Sequence, residues 1–341
     1  MREPIASRAD FSNVTWPVFL NVSTTFTFDA INSCALGVPL NLIIVYLSFI
    51  SAKVDGDFKY FLGNLAVADL GFCFGNVYNW AQHFYFVKKE IPSNVITCSL
   101  QGSFGYGFGF ATALALPLLP LNRYCVIVQK SKWFTKSHTF LLCLIPYILG
   151  FIGEIYDVFF AQSITFYPRC GFHVYTQFIP EFLIVPIAAG YTAAIYCNFK
   201  VHKIVATHMR ASRRSARGSN HVVCERSVLK ASIYQACIPL IFIFPITVYL
   251  TSTIFLGWAA AEFVLISIGP YHLTVDDVGF GMMMFQPTAT ALVTLLIVKP
   301  YKDAAESYIN TVKKWLGFSV IAKSNNGTGT VHDTGLTVDM L

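Results

Sequence analysis

The chain has 341 residues, of which 55% are hydrophobic and 12% charged, with a formal net charge of +6. That charged share is about half the value of a typical soluble domain, which excludes an ordinary water-soluble fold. The basic balance fits the cytoplasmic side of a membrane before it fits nucleic acid.

Seven apolar runs separated by short polar segments fill most of the length: Asp29–Ile50, Phe58–Trp80, Cys98–Ile127, His138–Phe160, Gln177–Phe199, Val228–Leu256 and Val275–Val298. A helix crosses a bilayer with about 20 mostly apolar residues, and each run is long enough. The expected fold is an all-α membrane protein, a seven-transmembrane helix bundle with its N-terminus outside and a short amphipathic helix after the last span. Residues 1–27 then form an extracellular segment, 28–300 the bundle, and 301–341 a cytoplasmic amphipathic helix and disordered tail. No room remains for a second folded domain. The polar start shows no cleavable signal peptide, so the first span is expected to act as the signal anchor.

Orientation follows from charge. Alternate segments hold nineteen Lys and Arg on one face and five on the other, eight of the nineteen between Lys200 and Lys230. The positive-inside rule places that face in the cytoplasm. Two sequons, at Asn13 and Asn21, fall outside, where glycosylation occurs; a third, at Asn326, falls in the cytoplasmic tail and should be silent.

In chain order, the first span carries Asn41 and the second carries Asn64 and Asp69. Polar groups inside a bilayer are costly and must find partners in the bundle. An Asn–Asp network here can fix helix packing, take part in switching, or both. Cys98 opens the third span and Cys170 lies after the fourth; both are expected outside, where disulfides persist, and a Cys98–Cys170 bridge would pin that loop over the bundle mouth. Cys34, Cys73, Cys125, Cys143, Cys197 and Cys237 fall within or at the ends of spans and read as small apolar packing residues. Prolines recur in the spans, including Pro117 and Pro120 in the third, and should bend them. After Pro300, Tyr301–Leu316 has amphipathic spacing and should lie along the inner membrane surface.

Leu121-Asn122-Arg123-Tyr124 closes the third span, with Arg123 standing 25 residues after Cys98. With Asn41, Leu65-Ala66-Val67-Ala68-Asp69 and Pro186, this set resembles the rhodopsin-like receptors, position by position and in order. There are departures. Asn122 replaces the acid of the third-helix triplet, the fourth span lacks the usual tryptophan, the sixth reads Phe242-Ile243-Phe244-Pro245, and the seventh reads Phe285-Gln286-Pro287. The divergent set, with Gln235-Ala236 before Pro239 and the closing Lys299-Pro300-Tyr301-Lys302, is similar to nematode serpentine chemoreceptors, the Str-, Srd- and Srx-like groups.

The resemblance implies a G-protein-coupled chemosensory receptor of the plasma membrane, sited in a sensory cilium in the chemoreceptor groups. Its partners would be a small-molecule ligand outside, a heterotrimeric G protein inside and membrane lipids, with no nucleic acid, cofactor or enzymatic activity. Asn122, Arg123 and Tyr124 would face the G protein. Glu225, near the inner start of the sixth span, would pair with Arg123 at rest; the alternative is a solvated pair with Arg226 or Lys230, its neighbours in sequence. The ligand pocket would be drawn from Phe104, Tyr106, Phe108, Phe178, Glu181, Phe182, Tyr249, His272 and Asp276, mostly aromatic and suited to a small, largely apolar ligand. A transporter or channel is the competing class; it would need repeated halves or several midplane charges, and neither is evident.

Overall fold

A computed structural model describes residues 28–56, 58–89, 107–130, 136–156, 164–165, 171–172, 178–214, 233–234, 237, 241–242, 264–268 and 271–315. Six of the seven expected spans appear as extended helical segments; of the sixth, only five residues between Ile233 and Phe242 are described, all helical.

The first helix, Phe28–Phe49, contains a π-turn at Ser33–Gly37, closed by Val38 N–H bonding back to the Ser33 carbonyl. The second runs Phe58–Lys89, past its expected end at Trp80. The third is in two pieces, Phe108–Ala115 and Leu118–Ile127, and the fourth is Lys136–Tyr156 with Pro146 inside. The fifth, Phe178–Arg214, has 37 residues. At about 1.5 Å per residue it exceeds the roughly 30 Å hydrocarbon core, so its basic end continues beyond the membrane as helix. The first half of the basic loop is therefore part of the fifth helix.

The seventh helix, Val275–Ile297, passes through Pro287. At Val298 the chain turns by 85° into Lys299–Trp315, with Pro300 in the first turn, where its missing N–H costs nothing. This is the expected amphipathic helix, starting two residues earlier than the spacing suggests. Two short antiparallel hairpins were not anticipated from the sequence: Ile164–Thr165 with Gly171–Phe172, and Val264–Ile268 with Tyr271–Thr274.

The polarity of the bundle is inverted relative to a soluble protein. Phe140 and Phe199 are each 67% exposed, whereas Asp69 is 0% and Asn41 1% exposed. Lipid is the solvent that makes this arrangement favourable. Small residues allow close crossings. A Cβ on Gly150 of the fourth helix would lie 2.6 Å from the Gly107 carbonyl, and one on Gly63 of the second 2.7 Å from Phe49 and Ser48. One core cluster joins Ile44, Leu47, Phe61, Leu119, Val298 and Tyr301; a second joins Leu65, Leu116, Ile187 and Tyr191.

Candidate functional site

The three polar residues singled out in the first two spans reach three different helices. Asn41 donates from Nδ2 to the carbonyls of Gly37 (2.9 Å) and Pro287 (3.3 Å), tying the first helix to the seventh at its proline. Asp69 accepts from Thr112 Oγ1 of the third helix at 3.0 Å, and its Oδ2 is buried with no hydrogen-bond partner. Asn64 turns toward the fourth helix, where its Nδ2 donates to the Cys143 carbonyl (3.3 Å) and its own carbonyl accepts from Tyr147 OH (2.9 Å).

Further polar residues, unremarked in the sequence, extend this set toward the start of the first helix. Asn32 Nδ2 donates to the Met284 carbonyl (3.2 Å), and Thr288 Oγ1 donates to Asn32 Oδ1 (3.2 Å). Asn76 Nδ2 reaches Ser33 Oγ at 3.5 Å. The π-turn sits between these contacts, and a Cβ on Gly37 within it would lie 2.6 Å from Cys73 Sγ. The first, second and seventh helices thus share a polar seam around the π-turn and Pro287. Mid-span Asn, Ser and Thr were the available signal; which helix each one faces depends on the wider turn, which shifts the helical phase.

At the C-terminal end of the third helix, Asn122 and Arg123 are both buried (5% and 8% exposed), and Asn122 Nδ2 has no hydrogen-bond partner. The Tyr124 ring lies 6.1 Å from the Tyr196 ring of the fifth helix. Tyr124 thus stands at the boundary between the third and fifth helices.

The amphipathic helix is fastened beneath the first. Tyr301, fully buried, shares a 2.6 Å hydrogen bond with Ser48 Oγ. Tyr308 OH meets Tyr46 OH and Ser51 Oγ, each at 3.2 Å. Lys53 Nζ donates to Ser307 Oγ at 2.7 Å and lies 4.0 Å from the Tyr308 ring centroid.

Of the expected pocket residues, Phe108 packs edge-on against Phe151 (5.2 Å) and Tyr147 (6.2 Å) of the fourth helix and faces Gly71 of the second. The glycine opens a slot between the second and third helices that the ring fills. Phe178, Glu181 and Phe182 lie in the first turns of the fifth helix, Asp276 at the start of the seventh, and His272 on a hairpin strand opposite Ser267. Cys98, Cys170, Phe104, Tyr106, Glu225, Tyr249, Asn13 and Asn21 lie outside the described residues. Cys73, Cys125, Cys143 and Cys197 are free and buried; Cys34 and Cys237 are free and exposed on the bundle surface.

Residues 40–273 match the sequence pattern of the 7 transmembrane receptor (rhodopsin family). The chain belongs to that family. It is 26% identical over 150 residues to rhodopsin of Poecilia reticulata, covering 43% of this chain and 37% of that protein. It is 25% identical over 211 residues to rhodopsin of Solea solea, covering 55% and 58%. The matches therefore span about a third to somewhat over half the length of these relatives. The fold is similar to that of squid rhodopsin, with a TM-score of 0.65 at 18% identity, covering 92% of this chain and 93% of that one. This rhodopsin-family receptor is a multi-pass membrane protein.

Proposed function

We propose that this receptor is chemosensory: a small molecule binds from the extracellular side, and a heterotrimeric G protein is engaged at the cytoplasmic end. The observation that carries the reading is the buried Arg123 near the end of the third helix, next in sequence to Tyr124, whose ring meets Tyr196 of the fifth. The same helix holds Thr112, bonded to Asp69 in the bundle interior. Displacement of the third helix in response to ligand thus reaches both groups. Family membership supports receptor signalling over transport or enzymatic chemistry. The nematode-type sequence features support the chemosensory class and a plasma-membrane location.

Within this reading, Cys98–Cys170 forms the outer disulfide, Asn13 and Asn21 carry glycans, and Glu225 restrains Arg123 at rest. The fifth helix carries the basic segment Lys200–Arg214 toward the G protein and the anionic inner leaflet. The test is a G-protein activation assay in a heterologous cell, challenged with volatile and water-soluble small molecules. A response abolished by Arg123→Ala at unchanged surface expression supports the reading. Ligand-driven current or solute flux that survives Arg123→Ala refutes it.

A further inference from the structure

Two prolines three residues apart interrupt the third helix. Proline has no N–H, so Pro117 cannot bond the Ala113 carbonyl and Pro120 cannot bond that of Leu116. Helix stops at Ala115 and resumes at Leu118; the gap is bracketed by Leu116 N–H to Thr112 O (3.2 Å) and Leu121 N–H to Pro117 O (3.1 Å). The fifth helix accommodates the break with Gly190, where a Cβ would lie 3.0 Å from Pro117 Cγ.

On the side of the second helix lies a cavity of about 10 Å³, walled by Phe61, Leu62 and Leu65 and by Leu116, Leu119 and Pro120. These side chains are all apolar, so the polar atoms they bring to the wall are main-chain atoms. Leu116 is the lining residue whose carbonyl Pro120 deprives of its helical donor. The volume is at the lower end of what one water molecule needs, about 10–15 Å³. An unpaired main-chain carbonyl away from water costs about as much as a lost hydrogen bond, and hydrocarbon offers no replacement.

We propose that this cavity is a binding site for a single water molecule, which donates to the Leu116 carbonyl and forms a hydrated hinge in the third helix. Neighbouring helical carbonyls, each with a second lone pair, can accept the other proton. The hinge divides the helix between Thr112, bonded to Asp69, and the Asn122–Arg123 end. A gap bridged by water can open or close without breaking a helical bond, so the inner piece tilts while the outer piece stays docked. That last step rests on the receptor reading; the water site does not.

X-ray hydroxyl-radical footprinting of the purified full chain tests the site, because radicals born from bound water oxidise the side chains around it. Leu62 and Leu119 (3% and 6% exposed) flank the cavity, and Leu47 (1% exposed) is a buried control of the same chemistry. Oxidation of Leu62 and Leu119 several-fold faster than that of Leu47 is expected; equal rates in the unmodified protein mean a dry cavity and overturn the proposal. Pro120→Val returns a donor to the Leu116 carbonyl while keeping the cavity wall filled, and should bring Leu62 down to the Leu47 rate. Undiminished Leu62 oxidation in a folded Pro120→Val protein would refute the assignment to that carbonyl. If Pro120→Val does not fold, the comparison within the unmodified protein decides alone. Fast Leu62 oxidation in a chain that activates no G protein would leave the water site standing and count against the receptor reading only.

Discussion

Truncating Asn41 tests the polar seam most directly. The side chain makes two donor bonds from one buried nitrogen, to Gly37 O at 2.9 Å and Pro287 O at 3.3 Å. Interhelical hydrogen bonds in membranes are worth about 0.6 kcal/mol on average and up to roughly 1.7. A local buried bond adds about 0.5–1.5 kcal/mol. Asn41→Ala should therefore cost about 1–2 kcal/mol, which for a chain of this length lowers the melting temperature by roughly 1–3 °C. Asn41→Asp should cost more, because a carboxylate cannot donate and would face two carbonyl oxygens. The free, buried Cys73, Cys125, Cys143 and Cys197 supply the assay, since a thiol-reactive dye reports their exposure as detergent-solubilised protein is heated. If Asn41→Asp melts at or above Asn41→Ala, the side chain is not donating to those carbonyls and the reasoning fails.

Other expectations concern the packing and the amphipathic helix. Tyr301→Phe and Ser48→Ala each remove the same 2.6 Å bond, so each should cost about 1 kcal/mol and the pair much less than their sum; additive losses in a double-mutant thermal series would contradict a shared bond. Burial pushes the Tyr301 hydroxyl up to about 12, outweighing the opposing Ser48 bond. Its stabilising contribution is therefore full below the ordinary value of 10 and is lost as pH rises through about 12, which a spectrophotometric tyrosinate titration alongside melting would follow. Gly150→Ala places a methyl against the Gly107 carbonyl, which cannot rotate away, and should destabilise by about 1–3 kcal/mol in the dye assay; a neutral result would mean that the third and fourth helices cross less closely. Arg123→Ala should abolish G-protein activation while surface labelling is unchanged; a retained response would remove the proposed role.

The number of spans, their order and the amphipathic character of the segment after Pro300 were legible in the chain, because bilayer thickness imposes a length and helical pitch a spacing on any sequence that crosses it. Asn41 and Asp69 were equally visible, since a polar side chain among apolar neighbours has to be used. Their partners were not. Asn41 meets the Pro287 carbonyl and Asn64 the Cys143 carbonyl, and a main-chain oxygen leaves no mark on composition. The π-turn at Ser33–Gly37 alters which faces of the first helix point inward, and a regular 3.6-residue reading passes over it. The slot that Gly71 of the second helix opens for the Phe108 ring could not be read from the sequence. Pro117 and Pro120 announced a disturbance of the third helix; the facing Gly190 and the cavity against the second helix came only with the tertiary structure. Local spacing and solvent preference are written along one dimension, whereas partnership between helices depends on distances that exist only once the bundle has closed.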